Sequence, residues 1–160
     1  MDKEIIQNLK NNWRNVNTAS VAFANTIPVN IWNTKPFEKR FTTYSWEFAC
    51  LARTRLCYLK GLRTGSLIFS QQTDIPNKKD MTGWDKKDII SSLKDSARKI
   101  LTEIEKIQTT SKVSFVISLL QHERLHQGKL ILYYSISKLE IPKSFRKTWG
   151  ETNFPQNKLS

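Results

Sequence analysis

Apolar residues recur at Ile6, Leu9, Trp13, Val16, Phe23 and Ile27, with only Ser20 interrupting the series. Steps of three and four place them on one side of a helix, so the pattern predicts a helix over 3–27 that Pro28 stops. From Val29 to Thr43, Pro36 and the aromatic plugs Trp32 and Phe37 read as an extended connection. A second helix is expected from Ser45 as N-cap, with Glu47 in its first turn, to Leu62. Its apolar residues are dense enough to be covered on most sides, and Gly61 and Gly65 mark its end. Residues 63–84 are polar and read as a long loop. A third helix follows, capped by Asp85 or Asp88, with Ile90, Leu93, Ala97, Ile100, Ile104 and Ile107 in heptad steps. After a turn at Thr109–Ser111, a fourth helix runs from Ser111 to Lys138 and Pro142 closes it. Four long amphipathic segments without a period-two strand predict an all-α fold: an antiparallel four-helix bundle with a long crossover loop and an irregular C-terminal tail. The chain divides into one domain over 1–150 and a polar tail over 151–160.

Composition narrows this picture. The 160 residues include only five glycines and five prolines, which excludes a turn-rich β-sandwich, and 39% are hydrophobic, enough for one real core. The start Met1-Asp2-Lys3-Glu4 lacks a basic stretch followed by an apolar one, so no secretory signal is expected, and no apolar run is long enough for a membrane span. Cys50 and Cys57 lie seven residues apart on one helix, about 10 Å along its axis. That is too far for a disulfide, so both are expected to be free thiols in a reducing cytoplasm. The formal net charge is +12. It admits a nucleic-acid or anionic-membrane partner, but the basic residues are spread from Lys3 to Lys158 rather than clustered, which favours a solvated surface.

The chemistry concentrates at Gln121-His122-Glu123-Arg124-Leu125-His126-Gln127-Gly128-Lys129, which holds the chain's two histidines. Four residues apart on a helix, both imidazoles share one face, where they can share a metal ion. Phe115, Leu119, Leu130 and Tyr133 continue that face, so both rings are expected to point into the core. His122-Glu123-Arg124-Leu125-His126 also fits the HExxH pattern of zinc proteases. A protease needs a third ligand, and Glu140 lies about 20 Å along the same helix; Glu151 lies in the tail. Glu123 projects about 100° away from His122 and is free to pair with a Lys or Arg of a neighbouring helix. Arg53, Arg55 and Arg124 could line an anionic pocket or be solvated. Trp13, Trp46, Trp84 and Trp149 read as core or interface plugs. Two satisfied core histidines remain the alternative to a metal site.

The stretch from His122 to Tyr134, with Leu139-Glu140-Ile141-Pro142-Lys143-Ser144 and Trp149-Gly150 after it, resembles the end of DinB/YfiT-like domains. Ser45–Leu62, with Ala52-Arg53-Thr54-Arg55 and Tyr58-Leu59, looks like that family's second helix, and Trp32-Asn33-Thr34-Lys35-Pro36 sits at its Trp/Pro connection. The resemblance implies a four-helix bundle with a divalent metal held by three histidines, two of which match His122 and His126. The third histidine is missing, and the alignment places Cys50 there with Arg53 beside it. A Cys50/His122/His126 set suits zinc or nickel, with iron and manganese as further options, and leaves a position for water or substrate. Alternatively the site is degenerate and Cys50 is a small buried hydrophobe. The resemblance further implies a metal-dependent transferase or hydrolase, thiol-linked through a low-molecular-weight thiol; a homodimer is expected besides. The alternative is a non-catalytic bundle without bound metal that acts through dimerisation or an acidic partner.

Overall fold

A computed structural model describes residues 1–70 and 72–148 of the chain. Six α-helices occur among the described residues: α1 Lys3–Thr26, α2 Tyr44–Thr64, α3 Lys78–Thr82, α4 Lys86–Glu105, α5 Thr110–Ile136 and α6 Lys143–Thr148. No strand occurs among them. The predicted tail over 151–160 lies outside the described residues, as do Trp149, Gly150 and Glu151.

Local chemistry sets the ends of these helices. The Asp2 side chain accepts from the Glu4 amide at 2.8 Å and starts α1. For α2 the cap is Thr43, whose hydroxyl accepts from the Trp46 amide at 3.1 Å; Ser45, expected in that role, is already inside the helix. Asp85 occupies the position before α4 but makes no side-chain capping bond. Gly65 ends α2 in the left-handed region at φ 80°, where a side chain would be strained. Lys138 takes a similar φ of 54° after α5.

Two expected irregular stretches carry helix. Residues 63–84 contain α3, because Asn77 caps Asp80 and Met81 is fully buried. A single apolar anchor in a polar segment gives no period to read. The C-terminal stretch contains α6, whose Phe145 packs on Phe23. The Val29–Thr43 connection opens with a 3-10 turn at Val29–Ile31, and its Trp32 is buried in a stack on Phe48.

The four long helices gather around two apolar clusters. One joins the start of α1, the end of α2, the end of α4 and the start of α5 through Trp13, Leu62, Ile104 and Val116. The other joins the end of α1, the start of α2, the start of α4 and the end of α5 through Phe23, Phe48, Leu93 and Tyr134. Hence α1 and α5 point one way, and α2 and α4 the other. The packed pairs are α1–α4, α4–α2, α2–α5 and α5–α1. Two of these four pairs are therefore parallel, which the expectation of an antiparallel bundle with a long crossover loop left open. The heptad seam of α4 holds at Leu93, Ala97, Ile100 and Ile104, but Ile89 is its buried first member and Ile90 only half-buried.

Between the clusters lies a polar layer. Arg55 on α2 is fully buried and grips Glu123 on α5 with two hydrogen bonds, Nε to Oε1 at 2.7 Å and Nη2 to Oε2 at 2.8 Å. Its third nitrogen donates to Asn17 of α1 and to the Leu93 carbonyl of α4, both at 2.8 Å. Ser20, the break in the α1 seam, donates to Glu123 at 2.6 Å and accepts from Gln127 at 2.9 Å. All four long helices thus meet in one satisfied network, and Trp13 covers the guanidinium at 5.0 Å. A buried ion pair is tolerable only when its remaining donors and acceptors are filled in this way.

Candidate metal centre

Consecutive residues divide the labour at this level. Arg55 and Glu123 face the centre, while their neighbours Thr54 and His122 face the α2–α5 seam. A step of about 100° per residue makes that division unavoidable. In the seam, His122 Nε2 lies 3.9 Å from Cys50 Sγ and 3.5 Å from Thr54 Oγ1. His126, one turn further along α5, stands with its ring 4.5 Å from that of His122. The structure brings Cys50, His122 and His126 together: one ligand atom from each lies within 4.8 Å of the others. His126 is buried, as expected; His122 and Cys50 are half-buried and reach toward an opening.

His126 is held from behind. Its Nδ1 meets Glu47 Oε2 at 2.5 Å, which fixes the ring with Nε2 toward the seam. Glu47 is itself 1% exposed and tied down at its other oxygen, accepting from Thr42 at 2.9 Å and from Tyr133 at 3.1 Å. Lys129 adds a positive charge 3.8 Å away. A carboxylate behind a ligating histidine is the usual outer support of a metal site. The sequence reading missed this role for Glu47, although it lies three residues before Cys50 on the same helix face.

The electrostatics favour charge separation. Burial works to raise the Cys50 thiol, but hydrogen bonds and charge from His122 and His126 outweigh it and bring it down to about 6. Burial works to lower His126, and the hydrogen bonds and charges of Cys50 and Glu47 outweigh it, lifting it to about 9. Glu47 is lowered: burial opposes this, and the His126 hydrogen bond and charge, Thr42 and Lys129 prevail. Both shifts favour a thiolate beside a protonated imidazole, a pairing in which a metal cation would take the proton's place.

Two observations test whether these residues fit a divalent ion. First, His122 Nδ1 is buried and has no hydrogen-bond partner among the described residues. Nε2, which faces Cys50 and Thr54, is the nitrogen a cation would use, so the orphaned Nδ1 lacks the outer support that Glu47 gives His126 and counts against a fully built site. Second, tetrahedral zinc with Zn–S about 2.3 Å and Zn–N about 2.0 Å sets sulfur and nitrogen roughly 3.5 Å apart. The 3.9 Å between Cys50 and His122 is close to that and too long for a strong direct bond. The donor spacing fits.

Other expectations fall out differently. Glu123 is locked onto Arg55 and cannot serve as the base of an HExxH protease. Glu140, the nearer candidate third ligand, pairs with Arg146. Arg55 is structural, Arg124 donates to Gln127, and only Arg53 lines an opening near the donors. Trp13 and Trp32 are core residues, whereas Trp46 and Trp84 are half-buried. Cys57 is a buried free thiol away from the donor set. No helix among the described residues is long and apolar enough to cross a membrane. No family model matches this sequence, and neither does any curated protein.

Proposed function

We infer that this chain is a DinB/YfiT-like four-helix bundle that holds a divalent metal between α2 and α5 and uses it for thiol-linked transfer or hydrolysis. The observation that carries the reading is the triad Cys50, His122 and His126, half-buried at the first two and buried at the third, with Glu47 placed behind His126. One thiolate and two imidazoles suit zinc first and nickel next, and leave one position open. A bound cation would supply Lewis-acid charge to a water or a substrate thiol at that position. The chain's own residues do the rest. Glu47 holds the His126 proton on Nδ1, so that Nε2 is left to donate electrons into the seam. Tyr133 and Thr42, both donating to Oε1, keep the Glu47 carboxylate from rotating. The Arg55–Glu123 network fixes α2 and α5 in register, and with it the distance from Cys50 to both histidines.

Elemental analysis of protein purified without affinity-tag chelation tests this. One equivalent of zinc or nickel is expected, with loss on Cys50→Ala and retention on Cys50→His. Absence of zinc, nickel, iron and manganese from the natural protein overturns the reading.

One observation favours a second reading, a non-catalytic bundle that works by self-association. The outer face of α5 exposes Ile117, Leu125, Leu132 and Ile136. Ser114, Gln121 and Gly128 lie between them without charge. On a chain of net charge +12, a charge-free apolar stripe suits a second copy of itself better than an acidic partner. A dimer without metal, made monomeric by Leu125→Lys in sedimentation, would establish that reading; a metal-loaded monomer would dismiss it.

A further inference from the structure

A pocket of about 630 Å³ opens directly over the donor seam, and Cys50 and Thr54 form its floor. Both floor residues approach His122. The sides are Arg53 from α2 with Asn77, Lys78 and Lys79 at the start of α3, and Phe69 closes it from the connection between them. Three cations therefore line an opening at Cys50. No carboxylate lines this pocket among the described residues, and none forms an ion pair with Arg53, Lys78 or Lys79 there. Asp74 is paired with Lys60, and the Asp80 carboxylate accepts from the lining residue Asn77.

Two of the three cations are held in place, and the exposed Lys79 stands beside them. Arg53 donates to the Phe69 carbonyl at 3.1 Å, which aims the guanidinium at the mouth. Lys78 rests its ammonium 3.9 Å from the Trp46 ring, a contact that keeps the charge without neutralising it. Like charges drawn together without a counter-charge repel one another, so an arrangement of this kind is favoured by what it binds. A group carrying a single negative charge would leave two of the three cations unanswered.

We propose that the pocket over Cys50 and His122 receives a small dianion, a phosphate ester or a dicarboxylate, through Arg53, Lys78 and Lys79. The Asn77 side chain is held by Asp80 at both its nitrogen and its oxygen and only shapes the wall, and Phe69 covers an apolar part of the same molecule. As a substrate site this rests on the metal centre proposed above; as a binding site it does not.

The test is calorimetric titration of inorganic phosphate and, separately, succinate into the intact protein at low salt, metal-free and after loading with one equivalent of zinc. One-to-one binding of at least one of the two anions is expected in both forms; which one binds identifies the anion class. The double variant Arg53→Gln/Lys79→Gln should lose affinity about tenfold or more, the cost of removing charge-assisted hydrogen bonds. Lys94→Gln, in the basic groove between α1 and α4, should leave affinity unchanged. Absence of binding, or equal loss with Lys94→Gln, overturns the proposal. Anion binding by a protein that takes up no metal supports this pocket and defeats the metal centre. Metal uptake without anion binding does the reverse.

Discussion

Replacing Glu123 with glutamine keeps the side-chain volume and removes one charge from the polar layer. Arg55 presents Nε and Nη2 to the two carboxylate oxygens at 2.7 and 2.8 Å. A glutamine amide would turn its NH2 toward one of these donors, leaving a donor facing a donor. It would also leave the guanidinium without a counter-ion in a fully buried position. Breaking one side of a buried pair costs about 3–5 kcal/mol. For a domain whose total stability is of order 5–15 kcal/mol, that is a large fraction. At about 2–4 °C per kcal/mol, the expected fall in Tm is about 6–20 °C. Urea unfolding followed by far-UV circular dichroism measures the loss directly. The double replacement Arg55→Met/Glu123→Leu should recover most of it, because an apolar pair of similar volume needs no counter-charge. A Glu123→Gln protein within about 1 kcal/mol of the natural one, less than a single lost buried charge–charge bond should cost, would falsify the structural role of the pair. Reduced metal content at unchanged stability would instead put Glu123 in the centre, as an HExxH reading requires.

Acid should expose the same residue. Burial opposes the shift, but Arg55 and Ser20 hold Glu123 below its ordinary value of 4.5. A depressed carboxyl contributes stability above its unfolded pKa and loses it as pH falls through the folded one, so midpoint urea concentration should be flat near neutrality and drop below that value. Little change down to strongly acidic pH would count against the network. Glu47→Gln should weaken metal binding about 10–100-fold in a competition titration with a chromophoric chelator, the usual effect of losing the group behind a ligating histidine; an unchanged affinity would refute its supporting role. Gly128 lies inside α5, exposed, and a Cβ there meets nothing within 4 Å. Gly128→Ala should therefore stabilise by about 1 kcal/mol in the same unfolding assay, and destabilisation would show that the outer face of α5 is covered.

The helices were legible because burial repeats with their period. In α1 every expected seam position from Leu9 to Ile27 is buried, including Ser20, whose hydroxyl proved to be a member of the polar layer. The placement of His126 against Cys50 was legible from a resemblance and a spacing. Three things were not. The partner of Glu123 could be guessed as a cation from its angle, but naming Arg55 needed the register of two helices. Glu47 read as a first-turn acid because helix ends favour one for reasons unrelated to metal. The expectation of an antiparallel bundle with a long crossover loop left open which neighbours run parallel, because heptad patterns look alike in either sense.

Because α2 and α4 run the same way side by side, residues 65–85 must travel back along the length of α2, roughly 30 Å for a helix of 21 residues. That return path supplies Phe69, Asn77, Lys78 and Lys79, whereas the donors sit on the two helices beneath it. Floor and roof therefore answer to different constraints. Insertions or exchanges in the roof can reshape the opening while the floor keeps its donors, so relatives of this chain should diverge in the residues around the opening sooner than in the three beneath it.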